Sequence, residues 1–276
     1  MEPVEIPFRR LQDVVDVSIT AADPARTEWL HDLISSSAPF EKKELKEESL
    51  LMERELILRD QDTEFAIVRQ EENVKVTEFL LAYFFPEVPI GKVVDMDVDS
   101  EVRPWIFDFI HLILTTNPST SIQFRQRSTG RIWAVAINVI ENDATTGSPD
   151  LADFVHPHRH PKMYMNLTFL EELSAVLPPS PGSDKLLNIF MVAVDPNYGR
   201  RGLGSNLIRL SVQLAAQLGI KTVVSQAVNH YAIKSLEKCG FRSVKQLLYS
   251  QFVYHGDTPL VNDGVHQRAK YLVLQL

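Results

Sequence analysis

VAVDPNYGRRGLG, residues 192–204, lies between an apolar run and a stretch with helical spacing. Upstream, LNIFMVAV (187–194) is of strand length and almost wholly apolar, as expected of a strand covered on both faces. Downstream, Leu207, Leu210, Leu214 and Leu218 mark a helical stripe that ends at Gly219. The first N–H groups of a helix lack intrahelical partners, and its start carries partial positive charge, so this junction suits an anion. Gly202 and Gly204 let the backbone approach a ligand without intervening side chains, and Arg200 and Arg201 add fixed charge matched to phosphate oxygens. The reading is a pyrophosphate-binding loop between a buried strand and a helix. Its order, G-x-x-G-x-G, differs from the G-x-G-x-x-G of dinucleotide binders, and no G-x-x-x-x-G-K-[ST] occurs, which excludes a nucleoside triphosphatase loop.

Working outward, IKTVVSQAV (220–228) reads as the next strand, Asn229 as an N-cap, and HYAIKSLEKCG (230–240) as a helix stopped by Gly240. VKQLLYSQF (244–252) and AKYLVLQL (269–276) read as two further strands joined by a loop containing HGDTP. Toward the N-terminus, TEFAIVRQ (63–70) is strand-like, and SIQFRQR and RIWAVAINVI form a hairpin across STG. Helical spacing recurs at Val76, Phe79, Leu80 and Tyr83, from Arg103 to Leu114, and from Met163 to Leu177. These elements predict an α/β chain with a mixed sheet and helices on its faces. Residues 1–60 read differently: EKKELKEESLLMERELILRD (41–60) is dense in charges of both signs and suits a solvated extension preceding a domain over 61–276.

The chain has 276 residues, 45% of them hydrophobic, enough for a substantial core. A net charge of −8 argues against a nucleic-acid binder and suits a cationic substrate. No run is long and apolar enough for a membrane span, and the start reads as no signal peptide. A single cysteine excludes an intrachain disulfide framework and fits a reducing compartment, so the expectation is a cytoplasmic protein. DMDVDSE (95–101) has Ser100 where a calcium loop needs glycine and Ile106 where it needs glutamate; as an acidic patch it would attract an amine. HPHRHP sets His156, His158 and His160 at alternate positions, but its prolines and Arg159 suit an exposed loop, and no metal is expected. Cys239 reads as a small buried thiol.

VAVDPNYGRRGLGS resembles the acetyl-CoA signature of the GNAT N-acetyltransferase superfamily, a strand ending V-x-P followed by [QR]-x-x-G-x-[GA]. NHYAIKSLEKCGF resembles the segment that follows it there, N-x-x-A-x-x-x-x-E-K-x-G-F. EFLLAYFFPEVPIGK (78–92) and FRSVKQLLYSQFVYHGDTPLVN (241–262) are similar to the invertebrate arylalkylamine N-acetyltransferases. The resemblance implies a GNAT-like, mostly antiparallel central sheet and an acetyl-CoA-dependent transfer to a small primary amine, an arylalkylamine, within a monomer or homodimer. It implies cofactor contacts from the backbone of Val192, Ala193 and Val194, from Arg200, Arg201, Gly202, Leu203, Gly204 and Ser205, and from Asn229, Ala232 and Lys238.

Acetyl transfer to an amine needs a group that removes the ammonium proton and a donor for the thioester oxygen. A backbone amide at the end of LNIFMVAV suits the second task. For the first, the resemblance points to the F-F-x-x-E-P segment, where Val88 holds the family's glutamate position and Glu87 stands one residue earlier. The family's tyrosine acid corresponds to Leu236, with Tyr231 the nearest replacement, and Val228 and Ala232 stand where that group has serines. Gly199 stands where the signature has Gln or Arg. The alternatives are an acyl-CoA-binding relative without turnover and an acetyltransferase acting on peptides or proteins.

Overall fold

The computed structural model describes residues 62–142, 150–175, 185–260 and 264–276. The charged segment 1–60 lies outside the described residues. Seven strands form one sheet: β1 (Thr63–Ile67), β2 (Ile122–Gln126), β3 (Ile132–Asn142), β4 (Lys185–Val194), β5 (Thr222–Ala227), β6 (Arg242–Leu248) and β7 (Arg268–Gln275). Their order is β1-β2-β3-β4-β5-β7-β6, and only the central β4–β5 pair is parallel. This is the mixed, mostly antiparallel sheet expected from the sequence.

Helices α1 (Asn73–Tyr83), α2 (Pro89–Val93), α3 (Val98–Glu101), α4 (Arg103–Thr116) and α5 (Pro161–Ser174) cover one face, and α6 (Leu203–Gln217) and α7 (His230–Lys238) the other. Strand alternation explains the division. On β3, Val135, Ile137 and Val139 turn toward α1 and α4 and join Leu80, Phe109 and Ile113. Ala134 and Ala136 turn the other way, and their small side chains admit Leu203, Leu207 and Leu210 of α6. Each fully buried aliphatic side chain of this kind contributes about 1.5–3 kcal/mol. A polar link crosses the interface of α6 with β3: the buried Asn138 amide donates to Ser211 Oγ at 2.8 Å and to the Thr120 carbonyl at 2.9 Å.

Two features of the centre were not read from the sequence. β4 and β5 pair only at Leu186↔Thr222, Leu187↔Val223 and Asn188↔Val224, after which the strands part. In the β3 ladder, Ile137 opposes Met191 while Asn138 opposes Ile189, so Phe190 is an extra, bulged residue. The bulge inverts the alternation. Leu187 and Ile189 pack with the α6–α7 cluster, whereas Met191 and Ala193 join the α1–α4 cluster and Val192 and Val194 turn toward α6.

The strand expected to run to Phe252 ends at Leu248, because Tyr249–Gln251 turn into a short 3-10 segment that sinks Tyr249 and Phe252 into the core. The short helices α2 and α3 fill what sequence patterning left as connections. α3 holds its neighbour in place: the buried Glu101 carboxylate accepts the Lys162 and Met163 amides at 3.2 and 3.1 Å, capping α5 from outside. Among the described residues no helix is long and apolar enough to cross a membrane.

Candidate active site

Where β4 and β5 part, the β4 edge facing β5 loses its ladder. The Asp195 amide donates to the Trp133 carbonyl across the β3 side at 2.8 Å, so alternation directs the Ala193 backbone groups to β3 as well. Val192 and Val194 therefore turn their N–H and C=O groups into the gap, where an extended ligand can pair as an added strand. One stitch marks the fork: Ser225 Oγ donates to the Ile189 carbonyl at 2.9 Å, just past the last strand pair.

The gap leads to the glycine–arginine loop. Asp195, fully buried, accepts from the Asn197 amide and side chain, both at 2.9 Å, and from Arg131 Nη2 at 3.0 Å. That fixes the turn Pro196–Tyr198. Tyr198 then stacks on Trp133 with centroids 4.5 Å apart, and the guanidiniums of Arg131 and Arg201 lie 5.6 and 5.2 Å from its ring. Arg200 adopts a left-handed backbone, φ +61°, and Gly202, φ +79°, is the N-cap of α6. The first intrahelical bond runs from the Asn206 amide to the Gly202 carbonyl, which leaves the Leu203, Gly204 and Ser205 amides ahead of it pointing out of the helix end. A Cβ at Gly204 would meet only Val194 Cγ2, at 3.6 Å, so the helix start sits on the end of β4 and the glycine leaves open space beside it.

Beyond the gap, Asn229 caps α7 by accepting the Ala232 amide at 2.7 Å. Lys238 is exposed in the last turn of that helix. The sequence-singled residues 192–194 and 200–205 thus come together along one line, strand edge to helix mouth, and Asn229 and Ala232 follow at the end of β5. Tyr231 is 67% exposed, in edge contact with His230 and His266, whose Nδ1 accepts the His230 amide at 3.2 Å. Glu87 follows α1 in a short turn, its side chain 63% exposed and ion-paired with Lys92 at 2.6 Å. Val88 packs instead against the cluster of Met165, Phe169 and Tyr249.

The acidic stretch is largely engaged. Asp97 caps α3 through Ser100, whose hydroxyl holds its carboxyl below the usual range, and Asp99 pairs with Arg103 at 2.7 Å. His160 is buried and its Nδ1 accepts the His156 amide at 3.1 Å. Among the described residues no group of three His, Cys, Asp or Glu is arranged to hold a metal. Cys239 is a buried thiol whose pKa burial pushes up. Sequence patterning does not announce the Trp133–Tyr198 platform, because its two rings are far apart in the chain.

A fork in the only parallel strand pair, a bulge beside it and an amide-lined helix mouth form one continuous cleft. Residues 164–241, which carry β4, β5, α6 and α7, match the acetyltransferase (GNAT) family. Over this segment the chain is similar to a GNAT acetyltransferase domain. The fold agrees across a longer span. The structure of arylalkylamine N-acetyltransferase 2 from Aedes aegypti superimposes with a TM-score of 0.67 at 21% identity, over 78% of this chain and 99% of that one. A Drosophila melanogaster polyamine N-acetyltransferase that forms N-acetylagmatine gives 0.61 at 20% identity, over 78% and 100%. The C-terminal condensation domain of Ebony, solved with beta-alanyl-dopamine, gives 0.56 at 15% identity, over 78% and 99%. The cleft is then the candidate active site.

Proposed function

We propose that this chain transfers acetyl from acetyl-CoA to a small primary amine with an aryl group, by direct attack in a ternary complex. The observation that carries the reading is the continuity of the Val192 and Val194 edge with the Leu203–Ser205 amides. An acyl-CoA has the matching parts: a pantetheine amide chain for the strand edge and a diphosphate for the helix mouth, with Arg200 and Arg201 beside it. The thioester would then end at the fork, where the Phe190 bulge frees backbone groups to hold the developing oxyanion. The amine nitrogen attacks the carbonyl carbon, the C–S bond breaks, and the departing thiolate takes a proton released by the amine.

The aryl preference rests on the ring content of the acceptor side. Phe190 sits 5.7 Å from Phe109, which contacts Phe154 at 5.3 Å, and Tyr83, Phe84 and Tyr164 pack on the same cluster. A net charge of −8 favours approach of an ammonium over that of an anion. The catalytic unit is assigned to residues 61–276, with 1–60 as an extension.

The test is acetyl transfer across a panel of aryl, aliphatic and guanidino amines, with peptide acceptors alongside. Arg201→Ala is expected to weaken acetyl-CoA binding about tenfold, the loss of one exposed charged contact, and Gly204→Glu to abolish it by placing a carboxylate in the mouth. Tight acetyl-CoA binding with no transfer to any amine would reject the enzyme reading, and peptide-only activity would reject the small-amine one.

A further inference from the structure

Beneath the fork, on the face covered by α5, four strands contribute polar groups to a layer of Leu186, Val224, Val273, Phe169 and Leu173, Gln226 of β5 among them through its bond to the Leu170 carbonyl. Asn188 occupies the last paired position of β4, opposite Val224. Its side-chain amide donates to Glu141 Oε1, from the end of β3, at 2.7 Å. Tyr271 comes from β7, opposite Gln226 and one step into the open part of the fork. Two strands separate β3 from β7, about 14 Å between backbones at ordinary strand spacing. Tyr271 lies on the same α5-covered face, and the charge of Glu141 helps to raise its phenol's pKa from across β4 and β5.

This placement sets Glu141 apart from the chain's other carboxylates near the cleft. Glu87 faces solvent against Lys92, Asp195 is committed to its turn and Arg131, and Glu101 caps α5. Among the described residues, the Glu141 carboxylate accepts from the uncharged Asn188 amide. Desolvation pushes its carboxyl above the ordinary range, the direction that makes a carboxylate a better proton acceptor. Among the described residues, the titratable group that shares this face is Tyr271 of β7; β4 supplies uncharged Asn188, β5 uncharged Gln226, and α5 packs the layer with Phe169 and Leu173.

We propose that Glu141, oriented by Asn188 beneath the β4–β5 fork, is the final acceptor of the proton lost by the incoming ammonium. The assignment rests on the proposed acetyl transfer. The step balances simply: R–NH3+ and the carboxylate become R–NH2 and the carboxylic acid, and the nitrogen lone pair so freed forms the N–C bond. As the C–S bond breaks, the thiolate takes the second proton from the acylated nitrogen, and Glu141 returns its own to solvent.

The experiment compares wild type, Glu141→Gln, Glu87→Gln and Asn188→Asp for acetyl-CoA affinity and for the pH profile of amine kcat/KM. Glu141→Gln keeps an acceptor for Asn188, so acetyl-CoA affinity is expected unchanged while kcat/KM at pH 7 falls about a hundredfold. Its remaining activity should climb about tenfold per pH unit, following the free amine, and should be least impaired with weakly basic amines. Asn188→Asp places a second carboxylate beside Glu141, and the acid limb is expected to move up by about one pH unit as the pair shares a proton. An unchanged profile in Glu141→Gln, or in Asn188→Asp should the first variant not fold, overturns the assignment and leaves the acetyltransferase reading standing. Loss of the acid limb in Glu87→Gln instead moves the role to Glu87. A wild type that acetylates no amine overturns both.

Discussion

Arg200 is held at φ +61°, a left-handed conformation that costs a residue with a Cβ about 1–2 kcal/mol relative to the right-handed region. The strain sits in the loop proposed to face the diphosphate, between Gly199 and the Gly202 cap, with its side chain exposed. Among the described residues no ion pair or ring contact of Arg200 offsets the strain, and the proposed diphosphate contact supplies a reason to keep its charge. Arg200→Gly is therefore expected to raise stability by up to about 1 kcal/mol while weakening acetyl-CoA binding several-fold. Urea unfolding and calorimetric titration measure the two effects. Gain in stability without loss of affinity would separate this arginine from the ligand. Gly202 obeys the opposite logic at φ +79°, because its missing Cβ removes the strain that Arg200 bears.

Among the elements, the fork is held by few bonds, and Ser225 is the one that can be removed cleanly. Its hydroxyl, buried, donates to the Ile189 carbonyl where no strand pairing remains. Ser225→Ala leaves that carbonyl without this donor and is expected to cost about 1 kcal/mol, seen as a lower urea midpoint with an unchanged slope. An unaltered midpoint would mean that the strands part without needing the stitch. The same region shows what the sequence carries and what it hides. α6 was legible because Leu207, Leu210 and Leu214 repeat at helical spacing between Gly202 and Gly219, and the β2–β3 hairpin because alternation flanks a glycine turn. The helix mouth proposed to bind the diphosphate was legible for the same local reasons: glycines, arginines and a helix start adjoin in the chain. The Phe190 bulge was not, since a ladder irregularity is a property of two strands and LNIFMVAV carries no glycine to announce it. Glu141 read as a charged strand end in INVIEN, because the Asn188 amide that holds it is distant in sequence. Short helices such as α3 form by docking, through Glu101 on α5, and too few residues lie in them for a periodic signal.

Across the whole molecule, the half-buried carboxyl of Glu141 couples stability to pH in a direction opposite to the usual acid. Its folded pKa is raised by desolvation, so the folded chain binds this proton more tightly than the unfolded chain. The associated stability is fully present below the ordinary glutamate value, about 4.3, and is lost as pH rises through the raised folded value. His160 pulls the other way. Burial lowers its folded pKa, so its contribution is intact above the ordinary histidine value and is lost as pH falls below it. The two are separable because Glu141→Gln removes one and leaves the other. Relative to wild type, Glu141→Gln is expected to gain stability progressively as pH is raised from about 4.5 toward neutrality, with no further gain once the wild-type carboxyl is fully ionised. Urea unfolding of both proteins at stepped pH measures the difference directly. A difference that stays constant, or narrows as pH rises, would mean that the carboxyl is no costlier to ionise in the folded chain than in the unfolded one. The expected result joins stability to the proposed chemistry: a carboxylate kept under the fork weakens the fold at the pH where it would be ready to take a proton.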